Sequence, residues 1–187
     1  MVRFSKSLKA GLVCACAVLS LCVPTAAAAQ DHRAIVFVNA GGASIVHADS
    51  EQGKAPIFGG GAGFHLTPRF LIEGDVHGAR VTQVFGREHH DFSQVTVTGS
   101  VLFRSSPRGR AHFIAGAGWG LQRAHIDFTL EPHGRIERTE TIGLLHGRVG
   151  AEWDLSSRIA LRTEGVLWFG EGVDGVLGAR AGLGYRF

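Results

Sequence analysis

The strongest constraint in the sequence is a strict alternation over its last eleven residues. One face of this segment would carry Leu177, Ala179, Ala181, Leu183, Tyr185 and Phe187. The other face would carry glycines together with Arg180 and Arg186. A period of two residues indicates a β-strand. An apolar face opposite a polar or glycine face suits a strand that lies between lipid and a polar lumen. An ordinary sheet edge that ends in an aromatic residue is the alternative interpretation.

The N-terminus has the pattern of a secretory signal peptide. A basic start precedes an apolar run at 10–23, which is too short to cross a bilayer as a helix. A proline and the small residues 25–29 follow this run. We expect residues 1–29 to be a cleaved signal peptide and residues 30–187 to form the mature domain. A short membrane anchor would need a longer apolar run.

Cleavage would change the composition of the mature chain. All three cysteines would leave, so we expect no disulfide and no cysteine metal site. Of the 19 basic residues, 16 would remain against 16 acidic ones, and all ten histidines would stay. This balance leaves no basic surplus for nucleic acid, and we expect no nucleic-acid partner.

The mature sequence divides into segments of two-residue alternation that are separated by turn signals. The predicted strands are 33–42, 54–66, 69–81, 92–104, 110–123, 141–154, 158–169 and 175–187. About eight strands of this length suit the smallest usual outer-membrane barrel. The predicted fold class is therefore all-β: a closed antiparallel transmembrane β-barrel that follows a cleaved signal peptide.

The predicted connections alternate in length. Short turns are expected at 67–68, 105–109 and 155–157, and longer polar loops at 43–53, 82–91 and 124–140. Short turns in the periplasm and longer loops outside the cell are typical of such barrels. Both termini would then lie on the periplasmic side.

Charged residues in the later strands fall on the face opposite the apolar one. They are Glu73, Asp75, Arg148, Glu152, Arg162, Glu164 and Arg180. A soluble lipocalin-like barrel would turn its apolar face inward instead, and this sequence would then expose a large apolar belt. We expect the charged side chains to pair inside the lumen, because an unpaired buried charge is costly. A gated path for protons or ions is the functional alternative.

No pattern in the sequence supports catalysis. No Ser/His/Asp spacing suggests a nucleophile, and His77, Ser93 and His125 lie near the predicted outer rim without a compact motif. The segment 87–91 (REHHD) contains ligand types that suit zinc or copper, but a solvated polar loop is the preferred interpretation. We expect no enzyme activity, no cofactor and no metal.

Two stretches resemble the OmpA-like and porin-family outer-membrane barrel domains. They are the hairpin 58–76 (FGGGAGFHLTPRFLIEGDV) and the C-terminal AGLGYRF. The resemblance implies the outer membrane of a Gram-negative cell, with outer-membrane lipid as the surroundings. It also implies that periplasmic chaperones and the barrel-assembly machinery act during biogenesis, the latter reading the aromatic residues Tyr185 and Phe187.

These observations lead to three hypotheses about function. We expect a monomeric barrel with a structural or surface-interaction role and a lumen closed by a Glu/Asp–Arg network. A narrow porin-like or OmpW-like channel for small or hydrophobic solutes is the alternative, and a lipid-modifying enzyme is the third hypothesis. Since the chain ends at the barrel, we do not expect the cell-wall anchoring role of OmpA.

Overall fold

The computed structural model describes residues 33–47, 50–85, 88–105, 110–130, 134–170 and 173–187. The predicted signal peptide at 1–29 lies outside these ranges. The strands are β1 Ala34–His47, β2 Ser50–Thr67, β3 Phe70–Phe85, β4 Glu88–Arg104, β5 Ala111–Leu130, β6 Gly134–Asp154, β7 Ile159–Gly170 and β8 Val173–Arg186. No helix in the described ranges is long and apolar enough to cross a membrane.

The eight strands form one closed antiparallel barrel in chain order. Each strand pairs with its sequence neighbours, and β1 also pairs with β8 from Ile35↔Arg186 to Ile45↔Val176. Closure leaves no unpaired edge around the wall, as a barrel in lipid requires. The predicted all-β fold, a closed antiparallel barrel of eight strands, is confirmed.

Alternation along each strand decides which side chains face the lumen. In β3, Leu71, Glu73, Asp75 and His77 are buried, whereas the intervening Ile72 is 47% exposed. The described parts of β4–β8 follow the same alternation: apolar side chains are exposed on the outside, whereas the polar and charged side chains, together with two apolar clusters, are buried inside. This is the inverse of a soluble barrel, and it suits a wall surrounded by lipid.

The first strand is apolar on both faces, so its alternation alone does not orient it. In the structure, Ile35 and Phe37 point into the lumen and are buried, while Val38 is 67% exposed. Ile35 packs with Leu71 and Leu102 as a small apolar cluster inside the barrel. The apolar side chains of Leu71 and Leu102 inside the barrel therefore favour the face of β1 that carries Ile35 as the inward one.

Aromatic side chains form two belts on the outside of the barrel. The belt near the short turns contains Phe64, Phe70, Phe103, Phe113, Trp153, Tyr185 and Phe187, all of which are exposed. Phe58, Trp119 and Phe169 are exposed nearer the other end. Aromatic rings favour the two membrane–water boundaries, so the belts mark the two ends of the membrane-embedded wall.

Two of the short turns are closed by side-chain hydroxyls. The Thr67 Oγ1 accepts hydrogen bonds from the backbone N–H groups of Arg69, at 3.2 Å, and Phe70, at 3.1 Å. The Ser156 Oγ does the same for Arg158, at 3.2 Å, and Ile159, at 3.0 Å. Such hydroxyl-closed turns connect strands with few residues, as predicted for this end of the barrel.

The prediction of long outer loops was wrong for the described residues. β1 continues to His47, β3 to Phe85 and β5 to Leu130, and β2, β4 and β6 begin within the ranges predicted as loops. The segments stay in register, as in Asp127↔Glu137. Outside a membrane both faces of a strand can be polar, so the apolar alternation is lost although the backbone pairing continues.

Four adjacent strands, β3–β6, form a sheet that extends beyond their pairing with β2 and β7. β2 is last paired with β3 at Ile57↔Ala79, and β7 is last paired with β6 at Leu144↔Gly170. Beyond these points β3, β4, β5 and β6 continue side by side, up to Phe85↔Glu88 and Leu130↔Gly134. We call this extension the projecting sheet: residues 80–85, 88–95, 122–130 and 134–143.

Candidate functional site

Ten charged side chains inside the barrel form one connected group of ion pairs. The carboxylates are Glu73, Asp75, Glu152, Asp154 and Glu164, and the arginines are Arg104, Arg148, Arg162, Arg180 and Arg186. We call this group the lumen charge network. Its five negative and five positive charges balance, so this group is neutral without a counter-ion.

Glu73 connects opposite walls of the barrel. It pairs with Arg148 of β6 and with Arg162 of β7, whose Nη1 lies 2.5 Å from Glu73 Oε2. In a ring of eight strands, β3 and β7 are four positions apart. These contacts therefore cross the lumen instead of following the wall.

A second set of pairs lies beside Glu73. Arg148 Nη1 donates to Asp75 Oδ2 at 2.8 Å, and its Nε lies 3.3 Å from Glu164 Oε2. Arg180 Nη2 donates to Asp75 Oδ2 at 3.2 Å and to Glu164 Oε2 at 3.1 Å. Each arginine therefore bridges two carboxylates, and each carboxylate oxygen is turned towards a cation.

A further layer lies nearer the short turns. Glu152 accepts from Arg162 at 2.8 Å, Arg186 at 2.7 Å and Arg104 at 3.0 Å. Asp154 accepts from Arg186 at 2.5 Å and from Arg104 at 3.2 Å. Arg162 thus joins the two layers, because it touches both Glu152 and Glu73.

The structure brings all seven sequence-predicted lumen residues together. The predicted network left out Arg104, Asp154 and Arg186, although the alternation already puts Arg186 on the same face as Arg180, and it left out His112, whose Nε2 lies 3.0 Å from Asp154 Oδ2. Their position in the alternation could have found them, since each lies an even number of residues from an inward side chain on its own strand.

Glycines face the large lumen side chains across neighbouring strands. Glu73 lies opposite Gly63, Asp75 opposite Gly61, Arg148 opposite Gly116 and Arg162 opposite Gly182. A Cβ atom on Gly61 would lie 2.7 Å from a ring carbon of Phe37 and 2.1 Å from the Gly74 carbonyl oxygen. The glycine-rich faces of β2, β5 and β8 therefore leave the room that the charged side chains occupy.

Two histidines lie beside the charge network on its outer side. His77 Nδ1 is 3.2 Å from Asp75 Oδ1, and the His77 ring lies 5.4 Å from the Trp168 ring. His146 Nε2 is 2.9 Å from the Ser100 hydroxyl. All of these side chains are buried, so the Ser–His contact has no open path to a substrate.

An apolar layer lies next to these histidines. It consists of Ala43, Ala55, Ile57, Ala79, Leu144, Val166 and Trp168, with Ile142 and Val176 packed against it. Along β3 this layer follows the charged layer directly, since Ala79 comes after Glu73, Asp75 and His77 on the inward face. Going outward, the lumen therefore passes from charge to apolar packing.

The residues considered for rim catalysis do not form one site. His77 is buried in the lumen, whereas Ser93 and His125 are cross-strand neighbours on the outer face of β4 and β5. His125 contacts β6 instead: its Nδ1 is 3.0 Å from Thr139 Oγ1 and its Nε2 is 3.4 Å from Glu137 Oε1.

The candidate metal segment 87–91 falls largely outside the described part of the chain. Residue 87 and the side chains at 88–90 are not described; the backbone from Glu88 onward belongs to β4. Among the described residues, no group of three or more histidine, cysteine, aspartate or glutamate side chains could hold a metal ion.

The projecting sheet carries its own surface ion pairs. Arg135 donates to both carboxylate oxygens of Asp127, and Arg138 pairs with Glu140. The hydrogen bonds to Asp127 raise the pKa of Arg135 above its ordinary value. These pairs join β5 to β6 and lie along β6 itself, and exposed pairs of this kind add little stability.

A family model described as the outer membrane protein beta-barrel domain matches residues 13–187. The chain belongs to this family. The predicted resemblance to OmpA-like outer-membrane barrels is confirmed, and the barrel is an outer-membrane barrel. A comparison with curated proteins gives no match.

Solved outer-membrane barrels share the fold at low sequence identity. The crystal structure of Neisserial surface protein A is 16% identical, with a TM-score of 0.68 over 82% of this chain and 97% of that one. Ail of Yersinia pestis is 14% identical, with a TM-score of 0.65 over 84% and 100%. The N-terminal barrel of Pseudomonas aeruginosa OprF is 14% identical, with a TM-score of 0.53 over 84% and 100%. At these identities the likeness shows the fold alone.

Proposed function

We propose that this protein is a sealed outer-membrane scaffold that holds the projecting sheet at the cell surface. Its role is structural or surface-interacting, and it carries out no catalysis. The observation that carries the proposal is the lumen charge network, whose ion pairs cross the barrel from β3 to β6 and β7. An eight-stranded barrel is narrow enough for side chains to fill it.

Two barriers in series support a closed lumen. Arg148 touches Glu73, Asp75 and Glu164 at once, so moving it would leave three carboxylates short of a partner. The apolar layer around Trp168 follows, and apolar constrictions in pores exclude water and ions. A permeating ion would have to displace both barriers.

The direction of insertion follows from the two ends of the barrel. The short hydroxyl-closed turns suit the periplasmic side, and the projecting sheet suits the outside. We propose that residues 1–29 are a cleaved signal peptide that directs export. We also propose that the mature chain is monomeric, with the two aromatic belts contacting lipid at the membrane boundaries.

We further propose that Tyr185 and Phe187 are part of the signal read by the barrel-assembly machinery. Their rings stack edge to face at 5.0 Å and remain 38% and 53% exposed on the outside of the closing strand. The Phe187 N–H still donates to the Ala34 carbonyl at 3.0 Å, so the residue is held by the backbone. Exposure of the rings leaves them accessible while β8 closes against β1.

A narrow channel is the second candidate, and one observation favours it. Asn39 Oδ1, Thr96 Oγ1 and His146 Nδ1 are buried without a hydrogen-bond partner among the described residues. Buried polar atoms of this kind are usually satisfied by water. A chain of such waters through the lumen would give a proton or small-solute path.

Single-channel recording in planar bilayers separates the two functions. The refolded chain is expected to insert and remain electrically silent. Insertion is checked in parallel by protease protection of the barrel strands. Reproducible discrete openings from an inserted, folded sample would refute the sealed scaffold, and the residues of the lumen charge network would become the first candidates for pore-lining groups.

A further inference from the structure

The projecting sheet ends in a free edge on β6. Residues Gly134–Gly143 pair with β5 on one side, whereas pairing with β7 begins only at Leu144. Within the described ranges, no strand lies beside the other side of this segment. An unpaired strand exposes a row of N–H and C=O groups that another strand can pair with.

The sequence of this edge complements itself in one antiparallel register. When Thr139 lies opposite Thr139 of a second copy, Arg138 lies opposite Glu140 and Ile136 lies opposite Ile142, and each pair occurs twice. Opposite charges, threonine pairs and apolar pairs all stabilise directly facing positions of an antiparallel sheet. The flanking positions pair Glu137 with Thr141 and Arg135 with Gly143, so no like charges face each other.

The neighbouring registers lack this complementarity. Centring the pairing on position 138 places Arg138 opposite its own copy, and centring it on 137 or 140 does the same for Glu137 or Glu140. Like charges directly opposite each other are destabilising. Among the registers centred on residues 137 to 140, only the one centred on Thr139 avoids like charges directly opposite each other.

Ile142 is partly buried against the apolar layer, whereas the other side chains that would pair are accessible. Ile136 is 65% exposed. The Arg138 and Glu140 side chains are 72% and 39% exposed, and they already form an ion pair within one chain. In the paired state each arginine would face carboxylates on both strands, giving a four-charge cluster at the centre of the contact.

Antiparallel pairing also fixes how the two barrels are oriented. The two-fold axis that relates the strands runs perpendicular to the sheet. Because the projecting sheet continues the barrel wall, this axis lies in the plane of the membrane, and the second barrel is inverted. We propose that the β6 edge is a homophilic contact between copies of this protein in two facing outer membranes. This inference rests on the proposed function, which puts the projecting sheet outside the cell.

A single contact of this kind is weak. One pair of edge strands covers far less surface than the roughly 1,200–2,000 Å² of a stable protein interface. Adhesion between two membranes would come from many such contacts acting together. The protein is therefore expected to be monomeric in dilute detergent and to associate only when many copies face each other.

A charge swap tests the register directly. The chain is refolded into phosphatidylcholine vesicles, and aggregation is followed by turbidity. Vesicles with the unchanged protein are expected to aggregate. Arg138→Glu vesicles and Glu140→Arg vesicles should each aggregate at least about tenfold more slowly, because two facing pairs then carry like charges. Mixing the two variants should restore aggregation, since opposite charges then face each other across the contact.

Two controls keep the inference falsifiable. The double variant R138E/E140R should aggregate like the unchanged protein, and Arg123→Glu should as well, because it makes the same charge change on β5, away from the edge. Aggregation of either single variant at the unchanged rate would overturn the homophilic contact. The contact would also be overturned if vesicles that carry the unchanged protein failed to aggregate. This result counts only if trypsin added outside the vesicles cleaves at Arg135 or Arg138, which shows that the projecting sheet faces outward. Failure of trypsin to cleave there on intact cells would instead refute the surface orientation in the proposed function.

Discussion

The lumen charge network is most sharply tested at Arg162. This side chain donates to Glu73 at 2.5 Å and to Glu152 at 2.8 Å, and it lies 3.4 Å from Glu164. Its guanidinium also lies over the Phe37 ring, 5.4 Å from the ring centre. Arg162→Met keeps most of the side-chain volume while removing the charge and every donor.

The expected loss can be worked from these contacts. The side chain of Arg162 is 8% exposed, so solvent cannot replace it as a partner. Removing one member of a buried ion pair costs about 3–5 kcal/mol. Glu152 keeps Arg104 and Arg186, and Glu73 keeps Arg148. We therefore expect a loss near the lower end of that range, about 3 kcal/mol.

A second substitution separates charge from packing. The double variant R162M/E73Q again has equal numbers of lumen charges, so it should be less destabilised than the sum of the two single variants. For side chains in direct contact, a coupling of about 1–3 kcal/mol is expected. Arg123→Met, on the exposed outer face of β5, serves as the control and should stay within about 0.5 kcal/mol.

The measurement is urea unfolding of the refolded protein in lipid vesicles, followed by tryptophan fluorescence. An unchanged midpoint for Arg162→Met would refute the expected cost of leaving Glu73 and Glu152 short of a cationic partner. Equal destabilisation of the single and the double variant would show that the loss comes from packing against Phe37 and not from the uncompensated charge.

Three further predictions address space, sealing and assembly. Gly118→Val should lower the refolding yield, because a Cβ atom at this position would lie 2.7 Å from a ring carbon of His146. Gly99→Ala should be tolerated, because a Cβ atom there meets nothing within 4 Å. Equal refolding yields of the two variants would contradict the steric argument. Trp168→Ala should lower the free energy of unfolding by about 3–5 kcal/mol. It should still show no channel openings in planar bilayers, because the lumen charge network remains. Channel openings would show that the apolar layer is what seals the lumen. Deleting Phe187 should lower outer-membrane levels far more than the unfolding midpoint, and normal levels would argue against the assembly signal.

The alternation in the sequence is enough to predict the barrel and the inward charges. A two-residue period combined with polarity assigns Glu73, Asp75, Arg148 and Glu164 to one face without any knowledge of partners. The sequence does not show which of these charges meet, because those contacts join strands far apart in the chain. Closure of the ring brings β3 within reach of β6 and β7.

Two features could not be predicted because the local signal is ambiguous there. β1 is apolar on both faces, and its inward side follows from contacts of Ile35 with Leu71 and Leu102 that only the fold creates. The outer strand extensions look like loops, since polar residues outside the membrane lose the apolar alternation. Pairing such as Asp127↔Glu137 nevertheless continues, because backbone hydrogen bonds do not depend on which side chains face water.

A charged lumen also distinguishes the correct strand register from a shifted one. A slip of one residue moves every side chain of a strand to the other face. Such a slip on β6 or β7 would place Arg148 or Arg162 in lipid, at about 2–4 kcal/mol for each arginine near the membrane midplane. Because a buried ion pair by itself often adds no net stability over apolar packing, we infer that the network serves register more than stability. A smaller fraction of the variant R162M/E73Q should then refold to the native state than of the unchanged protein. This should hold even if the refolded variant unfolds at nearly the same urea concentration as the unchanged protein. A full refolding yield would contradict this role.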